Sequence, residues 1–222
     1  MQHWWAEEPW FGFGIVISDY FGHWMVNSQA RTINRVGAPA DFVYRFDLKP
    51  ADRSRYNLFL MVNTFFLTPA EVEQLQALFK GSGATVVWFY APGYIGPERF
   101  EPPQMESLTG FSFRRVDEPG PMMIRCLIDD SGTKFFRDFG VKKPHHPRFA
   151  VVPGDDEGIR IHGRWTDNGE IAFASREHNG FTSYYVGAGP LPVEVLRWIA
   201  EKAGVRMWST KPDNVRARKE RP

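Results

Sequence analysis

Cysteine is almost missing from this chain: Cys126 is the only one among 222 residues. No intrachain disulfide can form, which fits a reducing compartment. No apolar run approaches the ~20 residues that span a bilayer. The first eight residues, Met1 to Glu8, lack both a basic start and an apolar stretch, so they do not read as a signal peptide. A cytoplasmic location is the expectation if the chain is complete. Charge of either sign is not in excess, with 27 basic against 26 acidic residues, and nothing points to nucleic acid as a partner. Basic residues gather only at the end, in Arg216, Arg218, Lys219 and Arg221, where a solvated tail is the simplest reading. There is no internal repeat and no low-complexity segment.

Aromatic side chains, by contrast, are abundant: 19 Phe, 8 Trp and 7 Tyr. They dominate cores and interfaces, and Trp also stacks on sugar rings. Apolar residues at 43% and charged residues at 24% are ordinary for a globular domain with a sizeable core.

The spacing of apolar residues predicts strands over 13–18, 41–46, 56–62 and 85–90, with a helix after the first closing at Gly37 and another after the third. The second helix carries the clearest signals. Thr68 stands as N-cap, Pro69 takes the first helical position and Glu71 completes a capping box. Val72, Leu75, Leu78 and Phe79 form its apolar stripe, and Gly81 closes it. Strands alternating with helices predict an α/β fold, a doubly wound, mostly parallel sheet with helices on both faces. Beyond Gly93 the pattern loosens into an elaborated second half. It reads as a short helix over 101–109, a strand over 122–128, a Pro/Gly/His-rich stretch over 142–158 and strands over 170–176 and 181–186. A helix from Pro192 to Gly204 and a last strand over 205–208 close it. We read an aromatic arm (1–12), one domain (13–208) and a basic tail (209–222).

The sequence offers little for covalent chemistry. Nucleophilic catalysis on such a sheet needs a sharp strand-to-helix elbow that lifts Ser or Cys above the strand ends. No Gly-x-Ser-x-Gly or Gly-x-Cys-x-Gly occurs, and the turn after the fourth strand reads Tyr90-Ala91-Pro92-Gly93. Cys126 falls mid-strand between Ile124 and Ile128 and reads as a buried structural thiol. No catalytic residue is assigned. His145 and His146 are adjacent, so on an extended segment they point apart. With His162, His178, Asp155 and Asp156 they show no metal-ligand spacing, and neither metal nor cofactor is expected. Gly187-Ala188-Gly189 precedes a helix and reads as a tight turn or an anion cradle. In open sheets, ligands bind beyond the carboxyl ends of the strands, which makes Asp19, Asn63, Tyr90 and Gly93 the candidate pocket. Asp19 serves equally well as a helix cap. Trp88 and Trp198 fall inside regular elements and read as core. Trp4, Trp5 and Trp10 precede any regular element. They fold back on the core, pack against a neighbour or stack on a sugar.

Several segments together resemble a known family. Tyr56-Asn57-Leu58-Phe59-Leu60-Met61-Val62-Asn63, followed by Phe66-Leu67-Thr68-Pro69-Ala70-Glu71, is similar to the strand-then-capped-helix step of β-galactosidase trimerisation domains and related class I glutamine amidotransferase-like domains. The run from Gly83 through Trp88 to Pro92-Gly93 resembles their glycine, buried strand, aromatic, Pro-Gly step. Thr109-Gly110-Phe111 and the closing Leu191-Pro192 to Ala203-Gly204-Val205 segment fit the same order. The resemblance covers residues 13–208. It implies a flavodoxin-like fold without an amidotransferase nucleophile, usually joined to a glycosidase barrel that this chain does not carry. The function implied is a non-catalytic assembly or interaction domain, with homo-oligomerisation or a glycosidase barrel as partner. The alternative is a small-molecule or carbohydrate-binding domain using the strand-end pocket.

Overall fold

The structure is a computed structural model that describes residues 12–17, 23–130, 132–154 and 158–211. The first half follows the expected winding. Strands β1 (Gly12–Ile17), β2 (Ala40–Tyr44), β3 (Tyr56–Met61) and β4 (Thr85–Phe89) lie parallel in the order β2-β1-β3-β4. Helix α1 (His23–Ile33) joins β1 to β2, and α2 (Pro69–Phe79) joins β3 to β4.

Strands β3 and β4 are buried on both faces, as a parallel strand covered on each side must be. Leu58, Leu60, Val87 and Phe89 share one cluster with Val195, Leu196 and Ile199 of helix α4 (Val193–Lys202). Their sequence neighbours Phe59, Met61, Val86 and Trp88 face the other way, against Val72, Leu75, Leu78 and Phe79 of α2. The period of two that sends alternate side chains to opposite faces therefore divides the core between two helical layers. The α2 start is built as its residues dictate: the Glu71 N–H donates to Thr68 Oγ1 and the Thr68 N–H to Glu71 Oε2. Helix α1 docks through Gln29, fully buried, whose Oε1 accepts the Leu191 N–H at 2.8 Å.

The second half departs from expectation. After the short helix α3 (Pro102–Thr109) come β5 (Ser112–Val116), β6 (Gly120–Asp130), β7 (Thr133–His145), β8 (Arg148–Val152), β9 (Arg160–Trp165), β10 (Ile171–His178) and β11 (Phe181–Val186). Among the described residues the strands form one sheet, in the order β2-β1-β3-β4-β11-β10-β9-β6-β7, with β8 pairing β10 and β5 on a branch. Only β11 joins the parallel set, beside β4; every pairing among β5 to β11 is antiparallel. The sheet is therefore mixed and largely antiparallel, which corrects the mostly parallel reading. The reason lies in the connections. Parallel neighbours need a crossover of a dozen or more residues, whereas two residues separate β6 from β7 and two separate β10 from β11. At the second of these turns Asn179 and Gly180 both take positive φ, 48° and 80°, the backbone of a two-residue hairpin.

Two local expectations also fail. The stretch 142–158, expected as loop, contains the end of β7 and all of β8. Residues 205–208, expected as a strand, form none: Trp208 and Ser209 both donate to the single Gly37 carbonyl rather than along a ladder.

Candidate functional site

The strand-end loops of β3 and β4 are laced together by backbone hydrogen bonds. The Gly93 N–H donates to Thr64 O at 2.8 Å, Ile95 N–H to Phe65 O at 2.9 Å and Leu67 N–H to Ile95 O at 3.0 Å. This brings Asn63, Tyr90 and Gly93 into one region, with Asn63 3% exposed. Asp19, Trp4, Trp5 and Trp10 lie outside the described residues.

Tyr90 occupies the turn where a nucleophile elbow would stand, and it adopts φ +60°. A bulky residue in the left-handed region is strained, and here it stands at the tip of the turn that follows β4. The surroundings hold it there. Tyr90 N–H donates to Val186 O at 2.9 Å, and the Tyr185 hydroxyl donates to Tyr90 O at 2.9 Å. The ring meets Phe65, His145 and Phe149 edge-on at centroid distances of 5.4, 5.6 and 5.7 Å. Its hydroxyl donates to Pro147 O at 2.7 Å. With that proton committed, the contact to His145 Nε2 at 3.1 Å is satisfied by the tautomer that carries hydrogen on Nε2.

Burial pushes the Tyr90 hydroxyl up to about 12, with Tyr94 adding to the rise, so the phenol stays protonated at neutral pH. Burial also lowers the His145 imidazole, helped by His146 and Lys143. A nucleophile needs a base that can take its proton; here the phenolic O–H points at the Pro147 carbonyl oxygen. Beside the elbow, Tyr94 stacks on Phe100 at 4.9 Å, and Arg115 donates to the Tyr94 hydroxyl at 2.8 Å.

The sequence does not reveal His145, Pro147 and Phe149 as partners of Tyr90, since they lie 55 or more residues away and in the stretch expected as loop. It raises His145 only as a metal ligand. Among the described residues no group of three His, Cys, Asp or Glu side chains is placed to hold an ion.

Two further nucleophile candidates are sealed in. Cys126 sits mid-β6, fully buried beside Ile124 and Ile128, and burial pushes its thiol up to about 12. Ser175 Oγ lies 2.7 Å from His162 Nε2, a spacing suited to a nucleophile and its base. Ser175 is 4% exposed, however. His162 is packed among Phe173, Tyr184 and Trp198, and burial, its largest influence, pushes it down to about 4. The pair satisfies buried polar groups between the sheet and α4. Trp88 and Trp198 are buried as expected.

No family model matches the sequence, and comparison with curated proteins gives no match. Solved structures do match. A β-galactosidase from Bacillus circulans sp. alkalophilus overlays at TM-score 0.64 and 13% identity, over 90% of this chain and 32% of that one. A GMP synthase component from Thermoplasma acidophilum overlays at 0.53 and 9%, over 87% of this chain and 94% of that one. The fold is class I glutamine amidotransferase-like. A ThuA-like protein from Bacteroides uniformis shares it, at TM-score 0.55 and 15% identity over 83% and 84% of the two chains. The resemblance carried by the sequence segments is thus present in the fold. This chain spans about a third of the length of the β-galactosidases it matches.

Proposed function

We propose that this chain is a non-catalytic assembly or interaction domain, related to the trimerisation domain of β-galactosidase-type glycoside hydrolases. Tyr90 carries the reading. At the turn where such a sheet would raise a nucleophile, the strained backbone holds a phenol whose proton is donated to Pro147 O at 2.7 Å. A strained turn tipped by a hydrogen-bonded phenol serves as a scaffold for the loops around it. Likeness to about a third of several β-galactosidase chains supports an assembly role; the partner is a second copy of this chain or a glycosidase barrel. Light scattering on the purified chain tests self-assembly. The expected mass is a multiple of 25.6 kDa, and a lone 25.6 kDa species at every concentration leaves the barrel as sole partner.

A second reading, carbohydrate binding at the strand ends, is favoured by one observation. Phe100 is 58% exposed, stacked on Tyr94 and 6.0 Å from the Arg115 guanidinium, an aromatic platform beside the elbow. Thermal melts against a panel of mono- and oligosaccharides test it, since a ligand at 100 times its Kd adds about 2.7 kcal/mol. A flat response across the panel retires it.

A further inference from the structure

The segment joining β2 to β3 coils into two 3-10 turns, Arg45–Asp47 and Pro50–Ser54, that lie alongside α2. Between them and the helix is a groove of about 530 Å3. Phe46, Leu48, Leu75 and Leu78 supply its apolar surface. Phe46 is 65% exposed, its ring stacked on that of Tyr44 at 5.4 Å. The groove shares no lining residue with the Tyr90 elbow.

The charges lining it are lopsided, while Asp47 and Asp52 stand in the same turns outside the lining. Arg45, Lys49 and Arg53 face a single carboxylate, Glu71. Glu71 is already committed, to an ion pair with Arg45 and to the Thr68 N–H and hydroxyl. Among the described residues the buried Arg45 Nε has no hydrogen-bond partner, a donor in the groove wall. The nearby Asp52 carboxylate accepts the Lys49 backbone N–H at 2.8 Å. Among the described residues neither Lys49 nor Arg53 has an ion-pair partner.

We propose that this groove is a binding site for a small amphipathic anion, an aromatic or alkyl body bearing one carboxylate or sulfonate. The volume lies within the range of small-molecule sites, roughly 300–1,000 Å3, and the composition is theirs too: an apolar surface with a few polar anchors. The apolar body covers Phe46 and the leucines, and the anion sits between Lys49 and Arg53. A cationic or neutral ligand of the same shape gains only the apolar part.

The probes are 1-anilinonaphthalene-8-sulfonate and its uncharged analogue N-phenyl-1-naphthylamine, titrated into the full chain by fluorescence and calorimetry. One saturable sulfonate site per chain is expected, with the neutral analogue weaker. The double variant Lys49→Glu/Arg53→Glu weakens the sulfonate on the order of tenfold or more and leaves the neutral probe unchanged. Phe46→Ser, at an exposed position, weakens both. If the charge-reversed variant melts early, Lys49→Gln/Arg53→Gln replaces it. Sulfonate binding unchanged in the charge and Phe46 variants, or a neutral probe that binds as tightly as the sulfonate, overturns the proposal.

Discussion

Removing the Asp167 carboxylate exposes how the elbow is supported. Arg148 follows Pro147, whose carbonyl accepts the Tyr90 hydroxyl, and its side chain is 2% exposed. Asp167 holds it with two parallel bonds of 2.8 Å, while Pro121 O accepts a third at 3.3 Å and the guanidinium lies 5.3 Å from the Trp165 ring. Among the described residues the buried Arg148 Nε has no hydrogen-bond partner, so the arginine has little in reserve. Breaking a buried pair by deleting one partner costs about 3–5 kcal/mol, because the remaining charge is left uncompensated. The Asp167 side chain is 32% exposed, so water can reach the vacated place. We therefore expect Asp167→Ala to cost about 2–3 kcal/mol, discounted for that access. For a chain of this length that is a drop of roughly 4–12 °C in Tm. Adding Arg148→Met should recover part of the loss, since it removes the stranded charge. The pair also predicts a pH effect. Arg148 holds the Asp167 carboxyl below its ordinary value, so its contribution is present above the unfolded pKa and lost as pH falls through the folded one. Asp167→Ala should abolish that acid limb. Urea unfolding of the parent and the two variants decides the matter. A double variant less stable than Asp167→Ala, or a single-variant loss below about 1 kcal/mol, refutes the reasoning.

Other outcomes follow from the same geometry. Tyr90→Phe strands the Pro147 carbonyl and should cost about 1–2 kcal/mol in urea unfolding; no change means the hydroxyl does not hold the loop. His162 is pushed down to about 4 in the fold by burial, against about 6.5 unfolded. The unfolded chain then binds more protons between those values, so stability is full above pH 6.5 and falls by roughly 3 kcal/mol towards pH 4. His162→Phe should flatten that slope in melts recorded from pH 4 to 7. Gly110 closes α3 at φ +76°, and an added Cβ would lie 2.4 Å from His178 Nδ1. Gly110→Ala should therefore lose about 2–4 kcal/mol, and a variant melting within a degree of the parent contradicts the clash.

How much the sequence reveals depends on how local the signal is. The β3–α2–β4 step is legible because Thr68, Pro69 and Glu71 cap the helix within four residues and two continuous apolar runs flank it. Strands β5, β7, β8 and β9 are not. Ser112–Val116 and Arg160–Trp165 carry arginines on exposed faces, and β7 is a sheet edge whose Lys142, Lys143 and Pro144 are exposed. Edges tolerate Pro and Lys and hide the alternation that marks a strand. Tyr90 is recognisable as the tip of a turn, but its strain and its lock are invisible, because the partners come from distant segments: Phe65, the β7–β8 connection and its flanking strands, and Tyr185 and Val186 of β11. The 142–158 stretch reads as loop in the very place where those strands deliver His145 and Phe149 to the elbow.

The most direct test of a silent elbow is a turnover assay on the purified chain. Ammonia release from L-glutamine and hydrolysis of p-nitrophenyl esters and galactosides are compared between the parent and Tyr90→Phe. A silent elbow gives no turnover above the blank in either protein. Saturable turnover that Tyr90→Phe abolishes would contradict it.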